Sequence, residues 1–401
     1  MSAPLLDGVR VLDLTNVLAG PFAGYQLALQ GADVLKVEMP GTGDLARQLG
    51  ADRDLSEDLL GASFLAQNAG KRSLTLNLRD PEGREALLRA VRESDVLVEN
   101  FRPGVMDRLG CGWDVLKREN PALVYCAISG FGQTGPMCAR PAYDQIVQGL
   151  SGMMSVTGTP EVTPLRSGFP VADTLGGMAA AYAVAAALVR RARTGEGALL
   201  DVSMLEAALT AMGWVTSNYL ITGASPQPMG NENFTAAPSG TFVTADGHLN
   251  ISANRQQQFA TLCRLINRAD LLDDARFAHP ADRKTHRDAL REHIETGLVL
   301  RTAKEWEEIL SDAGVPAARV LSVSDALGLE QLAARDFIRR LPFPDGRQRP
   351  LDVLGSPVRV DGEPVGPATP PPLLGQHTGQ VLAELGYGER EISSMKESGA
   401  I

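Results

Sequence analysis

Histidine is missing from more than half of the chain: of five histidines in 401 residues, the first is His248. A Ser-His-Asp hydrolase or an imidazole-rich metal site built from the N-terminal region is thereby excluded. Chemistry there must rest on carboxylates, hydroxyls and backbone groups. A lone histidine such as His377 reads as structural. The four cysteines, Cys111, Cys126, Cys138 and Cys263, show no C-x-x-C spacing, which predicts reduced thiols, no metal and no disulfide framework. Aromatic residues make up 5% and the net charge is −10, so the stacking platforms and basic face that nucleic acid requires are lacking. No basic stretch followed by an apolar core opens the chain, and the apolar helix after Asp173 reads as too short and glycine-flanked to span a bilayer. These absences predict a cytoplasmic protein with neither nucleic-acid nor membrane partners. What is present is 44% hydrophobic residues, enough for the cores of two or three domains.

Val9–Leu14 reads as a buried strand, Gly20-Pro21 opens a helix that Gly31 stops after Leu29, and Asp33–Glu38 is the next strand. Together they predict a right-handed βαβ unit. Ser73–Leu78, Asp95–Val98 and Leu123–Ile128 continue the alternation, and Asp80-Pro81 opens a helix as N-cap and first-turn proline. The pattern predicts an α/β fold, a doubly wound Rossmann-like parallel sheet whose ligands gather at the carboxyl ends of its strands. Glu38 stands where a ribose-binding acid would, yet Leu18–Gly24 has no G-x-G-x-x-G, which argues against a nicotinamide site. Lys71, Arg72, Arg79, Arg102 and Arg108 are each, taken singly, ordinary surface charges. Their recurrence near strand ends predicts phosphate binding.

Residues 1–220 form the first part of this large domain and 225–335 a smaller α+β domain, with 340–401 returning to complete the large one. Ser239–Thr244 and His248–Ser252 flank Ala245-Asp246-Gly247 as a hairpin, followed by charged amphipathic helices through about Asp312. Arg283 to Arg291 reads as solvated helix. Gly346–Arg349 and the proline-rich Pro364–Pro372 read as loop or linker, the latter extended.

Asp173 stands at the mouth of the apolar stretch Met178–Val189, which is predicted to be a buried helix ending at Arg190, Arg191, Arg193 and Gly195. Two readings stay open on the residues alone. The carboxylate caps the helix, or it is a nucleophile kept ionised by the helix N-terminus, with Gly176 and Gly177 leaving room for a substrate.

The segments Gly8–Asp13, Ala19-Gly20-Pro21, Gly31–Glu38, Lys71–Leu74, Val98–Phe101 with Pro103-Gly104, Ser129–Gly132, Thr194–Gly197, Leu374–Thr378 and Glu384–Tyr387, in this order and spacing, resemble a family III coenzyme A transferase. The resemblance covers nearly the whole chain. It implies that Asp173 is the catalytic nucleophile, that coenzyme A or acyl-CoA and a carboxylic acid are the substrates, and that no tightly bound cofactor or metal is needed. It implies CoA contacts at Val17, Leu18, Ala19, Leu76, Asn77, Leu78, Arg79, Asn100, Phe101, Arg102 and Arg108, and an interlocked homodimer. Backbone N–H groups near Gly176 and Gly177 are candidates for holding the oxyanions of an anhydride and thioester pathway.

Three departures narrow the expectation. Met229–Thr235 replaces a glycine run and Met39-Pro40 a basic residue, which points away from formate and oxalate and leaves small dicarboxylates as the expected acids. Acyl-CoA racemases of the same superfamily place a histidine where this chain has Tyr143, a poorer base at neutral pH. Racemisation and silent acyl-CoA binding are therefore the alternatives to transfer.

Overall fold

Six short apolar stretches pair into one parallel sheet: β1 (Arg10–Asp13), β2 (Asp33–Glu38), β3 (Arg72–Thr75), β4 (Val96–Glu99), β5 (Val124–Ser129) and β6 (Ala198–Ser203). Their spatial order is β3-β2-β1-β4-β5-β6. The computed structural model describes residues 4–401. Alternate strand residues face opposite cores. Leu12, Leu35, Leu74 and Leu97 pack with Ala86 and Leu87 of helix α1 on one side. Here α1 denotes Pro81–Arg92, capped by Asp80 as its N-cap and opened by Pro81.

The other face is covered by two helices, one of them preceding α1 in the chain, Ala19–Leu29, and the other α2 (Val171–Thr194). Val11, Val34, Val96 and Val124 meet Ala23, Ala180 and Val184 there. Strand order reverses between β1 and β4, so a crevice opens beyond their carboxyl ends, where doubly wound sheets bind ligands.

The chain forms two units by its contacts. The first comprises residues up to Met153, Arg166–Ala224 and Glu330–Ile401, and it contains this sheet. The second comprises Met154–Leu165 and Ser225–Leu329. Within the second, Ser239–Val243, His248–Ser252 and Ala317–Arg319 form an antiparallel sheet. Phe242, Phe259, Phe277, Ile294 and Trp306 fill its core. Arg283, expected on a solvated helix, is instead fully buried, donating to the carbonyls of Ala237 and Phe277 and to Gln256. Its guanidinium lies over the Phe259 ring, so an apolar surround and backbone acceptors hold a residue that the charge pattern places in water.

Several elements differ from expectation for identifiable reasons. β3 ends at Thr75 because the chain then turns to the C-terminal segment, Asn77 N donating to the Ala400 carbonyl at 2.8 Å. The Gly346–Arg349 loop is the connection of an antiparallel pair, Ile338–Pro342 with Pro350–Leu354. β6 was not among the expected strands, since its outer half is partly exposed and breaks the buried pattern. The helix α2 is longer than expected, 24 residues, and long and apolar enough by length and composition alone to cross a membrane. It is not wholly buried either. Ala172, Gly176, Gly177, Ala180, Val184 and Ala187 face inward, whereas Met178, Tyr182 and Val189 are exposed. Its buried stripe packs on the sheet and on the Ala19–Leu29 helix, which marks a core helix.

The register of β1 with β2 sets Asp13 beside Lys36, and a buried ionic cluster grows from that pair. Asp13 accepts from Lys71 Nζ at 2.7 Å and lies 3.8 Å from Lys36 Nζ, which is 3.0 Å from Asp44. Glu38 is gripped by Arg47 through two bonds of 2.7 and 2.8 Å and accepts from Ser73 at 2.8 Å. Burial alone would push the Asp13 carboxyl up, but Lys36 and Lys71 beside it hold its pKa down to about 2.

Candidate active site

The loop after β1 is pinned at two points. Asn100, just beyond β4, accepts from Asn16 N and returns a bond from its own amide to the Asn16 carbonyl, both at 2.8 Å. Asp44 accepts from Val17 N at 2.9 Å. Val17 has φ +69°, a left-handed conformation that costs a β-branched residue on the order of 1–3 kcal/mol. Asp44 is fixed in turn: its other oxygen forms an ion pair with Lys36 at 3.0 Å, and Lys36 also donates to the Thr15 carbonyl at 2.8 Å.

Beside this loop lies a cleft of about 230 Å³ whose lining includes Leu14, Asn16, Met39, Leu76, Leu78, Arg79 and Phe101. Four of the expected contact residues, Leu76, Leu78, Arg79 and Phe101, therefore meet at one cavity. Val17 and Leu18 sit half-buried in the loop, and Ala19 is buried at the start of the following helix. Asn77 holds the turn after β3 by accepting from Arg79 N at 3.1 Å. Asn100 uses its amide on Asn16. Glu99, at the end of β4, accepts from Phe101 N at 2.7 Å and from the Tyr125 hydroxyl at 3.3 Å. Burial pushes its pKa up to about 7 against those two bonds.

The five cations expected at strand ends separate into two groups. Arg79, Arg102 and Arg108 are exposed, and among the described residues their guanidinium groups take part in no ion pair. Lys71 and Arg72 do not belong with them. Lys71 is buried on Asp13 and the Pro21 carbonyl, and Arg72 lies at the opposite end of its strand, bridging Asp33 and Glu384. Glu38 is likewise engaged by Arg47, so it has no ribose-binding role.

Asp173 lies in the first turn of α2, three residues past the N-cap position, Pro170. The cap comes from elsewhere. Asp144 opens a short helix, Asp144–Leu150. With one oxygen it accepts from Ala172 N at 2.8 Å and reaches Asp173 N at 3.4 Å. Gln148, one turn further on, donates to the other Asp144 oxygen at 2.6 Å and accepts from Ser167 N at 2.9 Å, fastening the segment that leads into α2. Among the described residues, no donor is bonded to the Asp173 side-chain oxygens. Burial first, and the Asp144 charge second, push its pKa up to about 7. The helix terminus therefore does not keep it in the ordinary carboxylate range, contrary to expectation.

Gly176 and Gly177 serve packing. Both lie beyond the first turn of α2, where helical N–H groups are already bonded, so they offer no oxyanion donors. A Cβ on Gly177 would stand 2.5 Å from the Ala19 carbonyl oxygen, so only glycine lets the two helices approach this closely. Gly177 is one turn from Asp173 on the same helix face. Tyr143 is 67% exposed.

Sequence reasoning missed Asp44, Gln148 and the capping role of Asp144. The four-residue spacing of Asp144 and Gln148 on one helix face was a signal for the last two. Asp44 follows a glycine-rich turn and carried none.

The sequence profile of CoA-transferase family III matches residues 6–378. The chain is 37% identical over 390 residues to the succinate–glutarate CoA-transferase of Agrobacterium fabrum, covering 96% of this chain and 97% of that one. It is 40% identical to the acetyl-CoA:oxalate CoA-transferase of Acetobacter aceti, over 89% of each. Among solved structures, a CAIB/BAIF family protein from Brucella suis superposes with a TM-score of 0.84 at 35% identity, covering 96% of this chain and 100% of that one.

The unbonded carboxylate has a measurable consequence for stability. Its folded pKa, about 7, lies above the ordinary 3.8. The unfolded chain therefore releases this proton first, and stability is lost as pH rises between the two values. Asp173→Asn removes that loss. It should raise stability at pH 8 by on the order of 1–3 kcal/mol, as relief of an unsatisfied buried group does, with a much smaller effect at pH 4. Urea unfolding at both pH values checks this, and equal effects at the two would count against it.

Proposed function

The chain belongs to CoA-transferase family III and is a CoA-transferase, and we propose that it moves CoA from an acyl-CoA to a free carboxylic acid through covalent intermediates on Asp173. The observation that carries this reading is a partly buried carboxylate whose oxygens are free while its helix is capped by another residue, Asp144. A raised pKa makes the ionised form a stronger nucleophile.

In the first step an Asp173 oxygen attacks the thioester carbonyl, the carbon–sulfur bond breaks, and CoA leaves as thiolate with a mixed anhydride on Asp173. The thiolate then attacks the aspartyl carbonyl of the anhydride. The donor acid departs as carboxylate and an aspartyl-CoA thioester remains. An acceptor carboxylate attacks that thioester, again expelling thiolate and forming a second anhydride. Attack of the thiolate on the acceptor acyl carbon completes the new acyl-CoA and restores Asp173. Every bond broken is matched by one formed, and no redox step or metal enters.

The relative from Agrobacterium fabrum is named for succinate and glutarate, which supports small dicarboxylates as the acids. Oxalate belongs on the acceptor panel beside them, because the Acetobacter aceti relative is named for it. For CoA itself, the cleft at Leu76, Leu78 and Phe101 offers apolar walls, with Arg79 at its edge and Arg102 and Arg108 on the neighbouring turn. Their guanidinium groups, which form no ion pair among the described residues, suit the nucleotide phosphates. The proposed partner is a second copy of the chain. Tyr182 on α2 and Trp214, Leu220 and Ile221 on the helix Trp214–Thr222 are each more than 70% exposed, an apolar surface that association would cover.

Four measurements test these statements. Asp173→Asn should lower transfer by several orders of magnitude, as loss of a nucleophile does. Hydroxylamine with acyl-CoA and no acceptor should modify one carboxylate, mapped by peptide mass spectrometry to Asp173. Modification of Asp144, or an active Asp173→Asn, overturns the assignment. Arg102→Ala should weaken CoA binding roughly tenfold, the loss of one charge-assisted bond. Unchanged affinity on calorimetry in this variant and in Arg79→Ala and Arg108→Ala would remove the phosphate role. Sedimentation should give a dimer mass even at nanomolar concentration, and a monomer there would refute the association.

A further inference from the structure

The corner occupied by Asp173 is negatively charged, since Asp144 adjoins it with one oxygen 3.4 Å from Asp173 N. An acid with a second carboxylate brings further negative charge into a partly desolvated place. Such a charge is tolerated only beside a cation with free donors. A cation approaches Asp144 there. Arg166 precedes the segment that enters α2, and its Nη2 lies 3.8 Å from the Asp144 oxygen that Gln148 also holds.

Arg166 is placed but little engaged. Its Nε donates to the Ser167 carbonyl at 3.2 Å. The 3.8 Å approach to Asp144 is too long for a hydrogen bond, and the side chain is 47% exposed. Four of the five N–H donors of a guanidinium therefore remain for a ligand, in the planar fork that meets a carboxylate through two bonds. Its backbone is steadied by its neighbour, because Ser167 N donates to Gln148 at 2.9 Å. The half-exposed pair with Asp144 is weak, so turning the fork toward a ligand loses little.

We propose that Arg166 is a specificity-determining residue that binds the non-reacting carboxylate of a dicarboxylic acid while the reacting carboxylate, or the thioester made from it, faces Asp173. This inference rests on the proposed role of Asp173. Donor and acceptor acyl groups occupy the same place in turn during the exchange, so one arginine serves both. A carboxylate-bearing acyl-CoA and a free dicarboxylate are each held by the end that does not react. A monocarboxylic acid of the same length leaves the fork in water and gains nothing from it. Arg166 is distinct from Arg79, Arg102 and Arg108, which stand at the ends of β3 and β4 on the CoA side of the crevice.

The test is a ratio that general damage to the enzyme does not move. With acetyl-CoA as donor, kcat/KM is measured for glutarate and for butyrate, in the wild-type chain, Arg166→Gln and Arg166→Lys. The glutarate-to-butyrate ratio should fall by roughly ten- to a hundredfold in Arg166→Gln, the loss expected when a charge-assisted pair is removed. In Arg166→Lys, which keeps the charge without the fork, the ratio should lie between the other two. With succinyl-CoA as donor, Arg166→Gln should also raise KM for the donor, whereas KM for acetyl-CoA should not follow it. An unchanged ratio in Arg166→Gln overturns the proposal. Failure of the Asp173 reading looks different: Asp173→Asn stays active, whatever the acid preference of the arginine variants.

Discussion

The buried ionic cluster under the first strand is the constraint on which the site depends. Asp13, Asp44 and Glu38 face Lys36, Lys71 and Arg47 with their side chains out of solvent. Three acids balance three bases in a chain whose net charge is −10. Burying any one of these charges without its partners would cost several kcal/mol, and replacing a buried pair by apolar residues is often neutral for stability. What the cluster adds is direction. Thr15 N donates to Asp13 at 3.0 Å, Lys36 holds the Thr15 carbonyl, and Asp44 holds Val17 N, so charged groups fix the loop at Thr15 and Val17, on either side of the Asn16–Asn100 pair. The left-handed Val17 persists because this surround over-determines it.

The second constraint is a division of labour between two carboxylates 29 residues apart in sequence, the separation of Asp173 N from Asp144. Asp144 is buried and bonded to Ala172 N and Gln148. It does the work of an N-cap for a helix to which it does not belong. That frees Asp173 from capping, and the same proximity raises its proton affinity by like-charge repulsion added to burial. Asp173 is therefore not the cap of its own helix: the cap exists, and another residue supplies it. Similar chemistry placed in different surroundings is a recurring way to separate roles at one site.

Much of the large unit was legible in the sequence, because its strands are continuous apolar runs and Asp80-Pro81 and Gly195 mark helix ends by local chemistry. Local patterns report which residues prefer a strand or a cap. They say little about what lies opposite. Lys71 and Arg72 look alike in sequence beside Arg79, yet one is buried on Asp13 and the other bridges Asp33 and Glu384. Arg283 sits in a charged stretch and is fully buried on backbone carbonyls. The apolar run after Asp173 predicted a buried helix, but its Tyr182 and Met178 face outward, since a run of alanines carries no moment to tell the inner face from the outer. The sequence named candidate positions for the site but not the hydrogen bonds around them, because Asp144, Asp44 and Gln148 act across the fold.

How the two constraints meet follows from small residues. The helix Ala19–Leu29 must pass over the Asp13–Lys71 pair and also lie against α2. At Gly24 an added Cβ would stand 2.6 Å from an Asp13 oxygen, and at Gly177 one would stand 2.5 Å from the Ala19 carbonyl. Both glycines remove side-chain atoms where backbone and charge approach closely, and any larger residue would force the helices apart. With that approach, the helix that follows the loop held by the ionic cluster lies against the helix capped by Asp144. For the proposed reaction, misplacement of Asp173 by about 1 Å through a shift of either helix is enough to lower a rate about a hundredfold. The ionic cluster fixes the loop that leads into one helix, Asp144 fixes the start of the other, and the glycines set the distance between them.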